Sequence, residues 1–156
     1  MRVKDIMSKK VITVKRSTTL KQLLEIFADF HIFPLVPVVG DDNRLEGIVS
    51  FRNLISVFQP SHPELLKTVP FLDDKEEDIF KVELTEEIGK LVVVDDIMER
   101  KFVTIQEEAS LEEAYNLMKL HLKKEFPVVD RYLKLVGIIG IFDIIQQIFR
   151  QKGIIR

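Results

Sequence analysis

The apolar positions of this chain follow one order of predicted elements twice. In the first half, the β-branched run at residues 11–14 predicts a short strand. The helix that should follow has one apolar face, made of Leu20, Leu23, Leu24 and Phe27. Pro34 and Pro37 end this helix and lead into a predicted hairpin, whose second strand is the apolar run at residues 45–49. A second helix starts directly after it, so this half is predicted as strand, helix, hairpin and helix.

The second half repeats this order. Residues 3–7 match residues 94–98 at an offset of 91, and the strand at 45–49 matches the apolar run at 135–139 at an offset of 90. The equivalent helix face consists of Leu111, Ala114, Leu117 and Met118. One residue is therefore missing from the second copy, and we expect the deletion near the end of its first helix, where such changes are tolerated.

One copy is too small to bury the apolar face of its own sheet. We therefore expect an α+β fold in which two β-α-β-β-α repeats pack about a pseudo-two-fold axis. Repeat one should cover residues 1–58 and repeat two residues 91–156, with an insert at 59–90. Within the insert, Ser61 and Glu64 form a capping box that predicts a short helix, and Thr85 is a candidate cap for another turn. The acidic cluster at residues 73–78 is interpreted as a solvated loop or helix start.

The composition argues against several classes of function. No apolar run approaches the length of a membrane span, and the N-terminus lacks the apolar core of a signal peptide, so a cytoplasmic protein is expected. The sequence has no cysteine, which removes disulfides, thiolate metal sites and cysteine nucleophiles. A net charge of -2 provides no general attraction for nucleic acid, and short basic pairs such as Lys123-Lys124 are balanced by nearby acids.

The candidate chemistry lies where the second hairpin strand of each copy turns into a helix. In the second copy Asp143 occupies this turn, and a carboxylate there points at a crevice. Asn53 stands at the equivalent position of the first copy. The residues three positions earlier are Gly140 and Ser50, respectively.

These residues resemble the tandem cystathionine-β-synthase-type (CBS) domain pair. The match rests on the segment 3–7 before the first strand, on the sequence Pro-Val-Val that begins at both Pro37 and Pro127, and on partial Gly-apolar-apolar-Ser/Thr-x-x-Asp motifs at Gly47 and Gly137. It covers residues 1–58 and 91–150. The resemblance implies two clefts between the repeats that bind adenine nucleotides or related adenosyl ligands, and it implies dimers of such pairs.

The resemblance also assigns roles to individual residues. The Asp of the family motif holds the ribose hydroxyls, which places the ribose at Asp143. The adenine slot would consist of Val11, Ile12, Phe33 and Leu35, while Lys124 would face the phosphate. At the helix start, Gly140 allows close approach of the backbone, and the helix that opens at Ile141 would offer free N–H groups to an anion. The residues expected at the other cleft are Ser50, Asn53, Phe102 and Val103.

Neither copy has the complete motif. Repeat one keeps Ser50 but has Asn53 in place of the acid, and repeat two keeps Asp143 but has Gly140 in place of the hydroxyl. We rank the Asp143 cleft first, because an ionised carboxylate binds a cis-diol with charge assistance and an amide does not. The alternative is that Asp143 and Asn53 only satisfy backbone N–H groups at the helix starts.

Other constellations favour simpler interpretations. His31 and His121 occupy equivalent places at helix C-termini, but no ligand-spaced carboxylate or thiol accompanies them, so we expect no metal site. No Ser-His-Asp arrangement or Walker-type loop is present, and we expect no enzyme activity. The last helix carries more apolar surface than one sheet needs, at Ile144, Ile145, Ile148 and Phe149, which predicts a homodimer.

The sequence thus predicts a non-catalytic regulatory module that requires no cofactor. Its expected ligand is of the AMP, ADP, ATP or S-adenosylmethionine class, and ligand occupancy would reach an unnamed downstream protein through a change in conformation or in the dimer. The alternative is a structural or protein-interaction module whose clefts are vestigial. Neither interpretation involves nucleic acid or a membrane.

Overall fold

The computed structural model describes residues 1–57, 80 and 84–156. The helices in this part of the chain are α1 (Val3–Ile6), α2 (Leu20–Ile26), α3 (Phe51–Ser56), α4 (Glu86–Leu91), α5 (Val94–Ile97), α6 (Leu111–His121) and α7 (Ile141–Gln151). The strands are β1 (Val36–Val39), β2 (Leu45–Val49), β3 (Ile105–Gln106), β4 (Glu125–Val129) and β5 (Leu135–Gly140). The mixed α+β class and the order predicted for each copy are confirmed.

The second copy forms a three-stranded sheet in the order β3-β4-β5. β3 runs parallel to β4, with Ile105 opposite Val128, and β4 and β5 form the predicted antiparallel hairpin, with Phe126 opposite Ile139. Because β5 ends at Gly140 and α7 starts at Ile141, the polar residues of the motif lie at the turn between strand and helix.

The first copy has the same topology with a shorter first strand. β1 pairs with β2, and the segment before them contributes a single parallel bridge between Val14 and Val38. The strand predicted at residues 11–14 and its equivalent in the second copy, residues 102–105, were therefore placed too early, because regular pairing begins at Val14 and at the equivalent Ile105. The preceding apolar residues lie outside the sheets.

The first helix of each copy starts as its sequence predicts. The side chain of Thr19 accepts a hydrogen bond from the amide of Gln22, and Ser110 does the same for Glu113. The predicted apolar faces are buried or half-buried with one exception. Leu24 is 53% exposed, because α2 ends at Ile26 and buries only one side of its short length.

The described residues divide into two compact units that do not follow the order of the chain. Unit 1 comprises Met1–Ile12, Asp41–Leu45 and Phe102–Arg156, and unit 2 comprises Thr13–Gly40 and Glu46–Lys101. Each unit has its own apolar core, built around Ile105, Met118 and Ile139 in unit 1 and around Leu23, Val36 and Ile97 in unit 2. Each unit thus combines most of one repeat with the short helical segment that precedes the first strand of the other.

These exchanged segments bind the second hairpin strand through matched backbone bonds. Ser8 and Ile138 exchange two hydrogen bonds of 2.8 and 2.9 Å in unit 1, and Glu99 and Ile48 exchange two of 2.8 and 3.1 Å in unit 2. The exchange was not predicted, although residues 3–7 and 94–98 had been identified as equivalent.

The two hairpin turns each contain a residue in the left-handed backbone conformation. Asn43 has φ 65° and Leu133 has φ 64°. Within unit 1 the carbonyl of Leu133 accepts from the amide of Leu45 at 3.1 Å, and that of Asn43 accepts from Leu135 at 3.0 Å. The side chain of Asn43 adds a bond of 2.8 Å to the carbonyl of Leu135, which the leucine side chain at position 133 cannot match.

The central insert is described only in part. α4 starts after Thr85, as the sequence suggested. The predicted helix at Ser61 and the acidic cluster at residues 73–78 lie outside the described residues. None of the helices in the described ranges combines the length and hydrophobicity that a membrane crossing requires.

Candidate functional site

Asp143 lies in the first turn of α7 and is half-buried. Its Oδ2 accepts a hydrogen bond of 2.9 Å from the amide of Gly140, the last residue of β5. The Oδ1 atom has no protein hydrogen-bond partner within the described part of the chain. The carboxylate therefore serves the fold with one oxygen and leaves the other to accept from a ligand hydroxyl.

Asn53 reproduces this arrangement in the first copy. Its Oδ1 accepts from the amide of Ser50 at 2.7 Å and from the hydroxyl of Ser50 at 3.2 Å. Both residues are half-buried at the start of α3. The structural role expected for Asp143 and Asn53 as acceptors at a helix start is thus confirmed, and it occupies one of the two Asp143 oxygens and the single side-chain oxygen of Asn53.

Gly140 has an extended backbone, with φ -114° and ψ 157°. A Cβ added there would lie 3.3 Å from Asp143 Oδ2 and 3.5 Å from the carbonyl of Lys124. The equivalent Ser50 has nearly the same backbone conformation, with φ -122° and ψ 175°. Glycine is therefore not required by the backbone here, and its presence removes a hydroxyl that the fold could accommodate.

Lys124 and Ile141 are joined by a backbone hydrogen bond that the sequence did not predict. The amide of Ile141 donates a hydrogen bond of 2.8 Å to the carbonyl of Lys124, so it is not free for an anion. The sequence predicted free N–H groups at the start of this helix, and the amide of Ile141 is not one of them, because the loop before β4 accepts its hydrogen bond. The Lys124 side chain is exposed.

Two residues of the predicted adenine slot belong to the same unit as Asp143. Val11 is half-buried and Ile12 is 44% exposed, and both lie just after Ser8, which pairs with Ile138 two residues before the end of β5. This pairing brings the segment that carries Val11 and Ile12 to the strand that leads to Asp143.

The other predicted residues are divided between the units. Phe33, Leu35, Ser50 and Asn53 lie in unit 2, and Phe102 and Val103 lie in unit 1. Phe33 is half-buried and packs edge-to-face on Phe27, with ring centroids 5.2 Å apart, so part of its surface is used in the core of unit 2. Val103 packs against the core of unit 1.

The sequence analysis did not predict a set of ion pairs that join each exchanged segment to the repeat on which it docks. In unit 1, Lys4 Nζ lies 2.8 Å from Glu108 Oε1, and this bond lowers the pKa of Glu108 and raises the pKa of Lys4. In unit 2, Arg16 Nε lies 2.9 Å from Asp95 Oδ1, and this bond lowers the pKa of Asp95 below its ordinary value. The detectable signal was the opposite charge at the equivalent positions 4 and 95.

The histidines show no metal chemistry in the described ranges. The His121 ring packs edge-to-face on Phe126, with centroids 6.2 Å apart. No group of three metal-ligating side chains occurs in the residues that the structure describes.

Comparison with known proteins identifies the fold. The family model of the CBS domain matches residues 3–59 and 78–150. A CBS domain-containing protein from Dictyostelium discoideum is 30% identical over 148 residues, which cover 95% of this chain and 91% of that protein. An inosine-5'-monophosphate dehydrogenase from Methanocaldococcus jannaschii is 26% identical over 143 residues, but the match spans only 23% of the enzyme.

A solved structure shows the same architecture. The crystal structure of CBSX2 in complex with AMP superimposes with a TM-score of 0.70 at 25% sequence identity. The superposition covers 97% of this chain and 98% of that chain.

Proposed function

The chain belongs to the CBS domain family, and we propose that it is a regulatory module that binds an adenosine-type ligand at Asp143. The observation that carries this proposal is the geometry of Asp143, whose Oδ2 atom is bonded to the Gly140 amide while Oδ1 has no protein partner in the described ranges. The AMP complex of CBSX2 supports the ligand class. The proposal includes the sequence-based expectations of a non-catalytic, cytoplasmic protein.

The charge of Asp143 favours this site over the equivalent Asn53. A ribose offers two neighbouring hydroxyl donors, and hydrogen bonds to a charged acceptor contribute about 1.5–3 kcal/mol, compared with roughly 0.5–1.5 kcal/mol for neutral ones. Asn53 already accepts from both the amide and the hydroxyl of Ser50. Its acceptor oxygen is therefore more fully used by the protein than the carboxylate of Asp143.

Gly140 affects the choice among adenosine-type ligands. With glycine here, no side-chain hydroxyl stands where the family motif places its phosphate contact, and the amide of Ile141 is bonded to Lys124. Phosphate recognition would then depend more on the exposed Lys124 side chain, which contributes little binding energy in water. We therefore propose that the ribose and adenine provide most of the affinity, and that AMP and S-adenosylmethionine bind better than ATP, whose larger charge lacks matching donors.

A thermal-shift screen tests the proposed ligand class. The purified chain is heated with AMP, ADP, ATP, adenosine or S-adenosylmethionine, each well above its expected dissociation constant, with guanosine monophosphate as the control. A ligand at a hundredfold its dissociation constant stabilises the folded state by about 2.7 kcal/mol, which raises the melting temperature by several degrees. A shift with adenosine-type compounds and none with the guanosine control is expected. No shift with any of them would favour the alternative, an interaction module with vestigial clefts.

The expected homodimer remains part of the proposal. Ile144 is fully buried and Ile148 packs against the core of unit 1, whereas Ile145 and Phe149 are exposed together with Phe142, which is 69% exposed. We propose that the exposed side of α7 contacts a second copy. Phe142→Arg, which places in repeat two the residue found at the equivalent Arg52, should shift sedimentation toward the monomer without lowering the melting temperature of the monomer. A wild-type chain that sediments as a monomer at high concentration would contradict this.

A further inference from the structure

The two exchanged segments dock through the same backbone bonds on opposite repeats. In unit 1 the amides of Val3 and Lys4 donate to the carbonyls of Ala109 and Glu107 at 2.9 and 3.0 Å. In unit 2 the amides of Val94 and Asp95 donate to the carbonyls of Thr18 and Arg16 at 2.7 and 2.9 Å. Every residue in the second set lies 91 positions from its equivalent in the first. Backbone bonding alone therefore does not distinguish one segment from the other.

The side chains at these positions do distinguish the segments, because their charges are inverted. Lys4 meets the acidic turn after β3, where Glu108 accepts from both Lys4 and Arg2 at 2.8 and 3.0 Å. The equivalent Asp95 meets the basic residue Arg16 in the turn after Val14. Arg100, which follows the same segment, donates to Asp95 at 2.8 Å and completes the pair.

Docking of each segment on its own repeat would bring like charges together. Lys4 would take the place of Asp95 beside Arg16, and Asp95 would take the place of Lys4 beside Glu108. We propose that this inversion of charge is a pairing code, which favours the exchanged arrangement over docking of each segment on its own repeat. The same code disfavours the pairing of repeat one of one chain with repeat one of another, since Lys4 would again face Arg16. The inference is independent of the proposed ligand site.

The ion pairs are partly exposed, so each one contributes little free energy. The code therefore depends on the difference in free energy between exchanged docking and docking on the same repeat. The side chains of Lys4, Glu108 and Arg16 are 43%, 53% and 48% exposed. Pairs of this kind contribute about 0–1 kcal/mol each and weaken in salt. Selection between two otherwise equivalent docking sites needs no more than this, because the backbone bonds are the same in both and cancel.

Competition between disulfides tests the code directly in the full chain. The chain has no cysteine, so the triple variant Ser8→Cys, Ile48→Cys, Ile138→Cys contains only the reporter thiols. Ser8 and Ile138 are a hydrogen-bonded antiparallel pair, whose Cα separation of about 5.5 Å suits a disulfide. A bond from residue 8 to residue 138 reports exchange, and a bond from residue 8 to residue 48 reports docking on its own repeat. The ratio is measured by peptide mapping after refolding under oxidising conditions.

The charge pair is then reversed in the reporter background. The variant Lys4→Asp with Asp95→Lys keeps the net charge, and the control Lys9→Asp with Asp29→Lys exchanges two exposed charges that form no ion pair within the described residues. The ratio of exchanged to own-repeat disulfide should fall at least about threefold in the reversed variant and recover in 1 M salt. An unchanged ratio, or an equal fall in the control, would overturn the proposal.

Thermal unfolding without the reporter cysteines provides a second measurement. Reversal of the charges should lower the melting temperature more than neutralisation by Lys4→Met with Asp95→Asn, by about 2–4 °C. Further reversal of the turns by Arg16→Glu and Glu108→Lys should recover part of the loss. If reversal and neutralisation have the same effect, the ion pairs stabilise the segments without selecting their partners, and the code is wrong.

Discussion

The two repeats build the same helix start with different side chains. In repeat one the amide oxygen of Asn53 accepts from the backbone of Ser50 at 2.7 Å, and in repeat two the carboxylate of Asp143 accepts from the backbone of Gly140 at 2.9 Å. Since an uncharged amide satisfies the fold in repeat one, the charge of Asp143 is not needed for the fold of repeat two. This comparison separates the structural role of the position from its chemistry, and it leaves the additional charge for the proposed ligand binding.

The largest difference expected between the repeats concerns Gly137 and its equivalent Gly47. A Cβ at Gly137 would lie 2.7 Å from the backbone carbonyl of Ser8. A Cβ at Gly47 would lie 2.7 Å from the flexible thioether of Met98 and 3.1 Å from the nearest backbone atom, the carbonyl oxygen of Glu99. Gly137→Ala must displace backbone and should reduce the free energy of unfolding by about 1–3 kcal/mol. Gly47→Ala should reduce it by less, because a methionine side chain can rotate away.

Urea denaturation of the two alanine variants in one buffer measures this difference, and each variant is the control for the other. Equal losses in the free energy of unfolding would show that the backbone of the exchanged segment moves aside as easily as a side chain. A larger loss from Gly47→Ala would contradict the close backbone contact in unit 1.

The glycines also illustrate what the sequence can predict. Their period, the flanking apolar runs and the following polar residue predict two copies of one α+β unit, because these features follow from local spacing. The resemblance to the family rests on these glycines together with residues 3–7 and the two Pro-Val-Val segments. The partner of each strand was not predictable in this way. A Cβ at Gly137 would meet Ser8 and Met7, more than a hundred positions away, and no local pattern shows which segment lies over a glycine.

A smaller effect is expected at the hairpin turns. Leu133 adopts the left-handed conformation without the advantage that Asn43 has in the equivalent turn. Leu133→Asn should raise the free energy of unfolding by about 1 kcal/mol, since asparagine tolerates this conformation and can donate to the carbonyl of Leu45 as Asn43 donates to Leu135. Chemical denaturation measures the gain, and Asn43→Leu should give a loss of similar size. If asparagine stabilises the protein at neither position, the turns are not strained.

The smallest expected effect is a dependence of folding stability on pH. The Arg16 bond lowers the pKa of folded Asp95 below its unfolded value, so its stabilising contribution is complete above the unfolded pKa and disappears as the pH falls through the folded one. Lys4 has the corresponding effect on Glu108, while Lys4 and Arg16 stay protonated throughout because their pKa values are raised. Asp95→Asn should therefore be less stable than the wild type at pH 7, and the difference should shrink as the pH falls through the lowered pKa of folded Asp95. Parallel urea curves across this range measure it, and a difference independent of pH would assign the effect to packing.

The candidate site was predictable in part for similar reasons. The local turn from strand to helix fixes these positions, and the structure pairs Asp143 with Gly140 in unit 1 and Asn53 with Ser50 in unit 2. The bond from the Ile141 amide to the Lys124 carbonyl was not predictable, because it depends on the path of a loop seventeen residues earlier in the chain. The inverted charges at positions 4 and 95 are visible in the sequence, but their meaning requires the partner turns.

The most direct test of the account is a calorimetric titration of AMP into three matched proteins. Asp143→Asn retains the acceptor for Gly140 and removes only the charge, which makes repeat two resemble repeat one, and Asn53→Asp is the reciprocal change. We expect Asp143→Asn to weaken AMP binding at least about tenfold at an unchanged melting temperature of the free protein, and Asn53→Asp to leave the affinity of the Asp143 site unchanged. Equal AMP affinity in the wild type and Asp143→Asn would contradict the central claim, because the charge of Asp143 would then serve neither the fold nor the ligand.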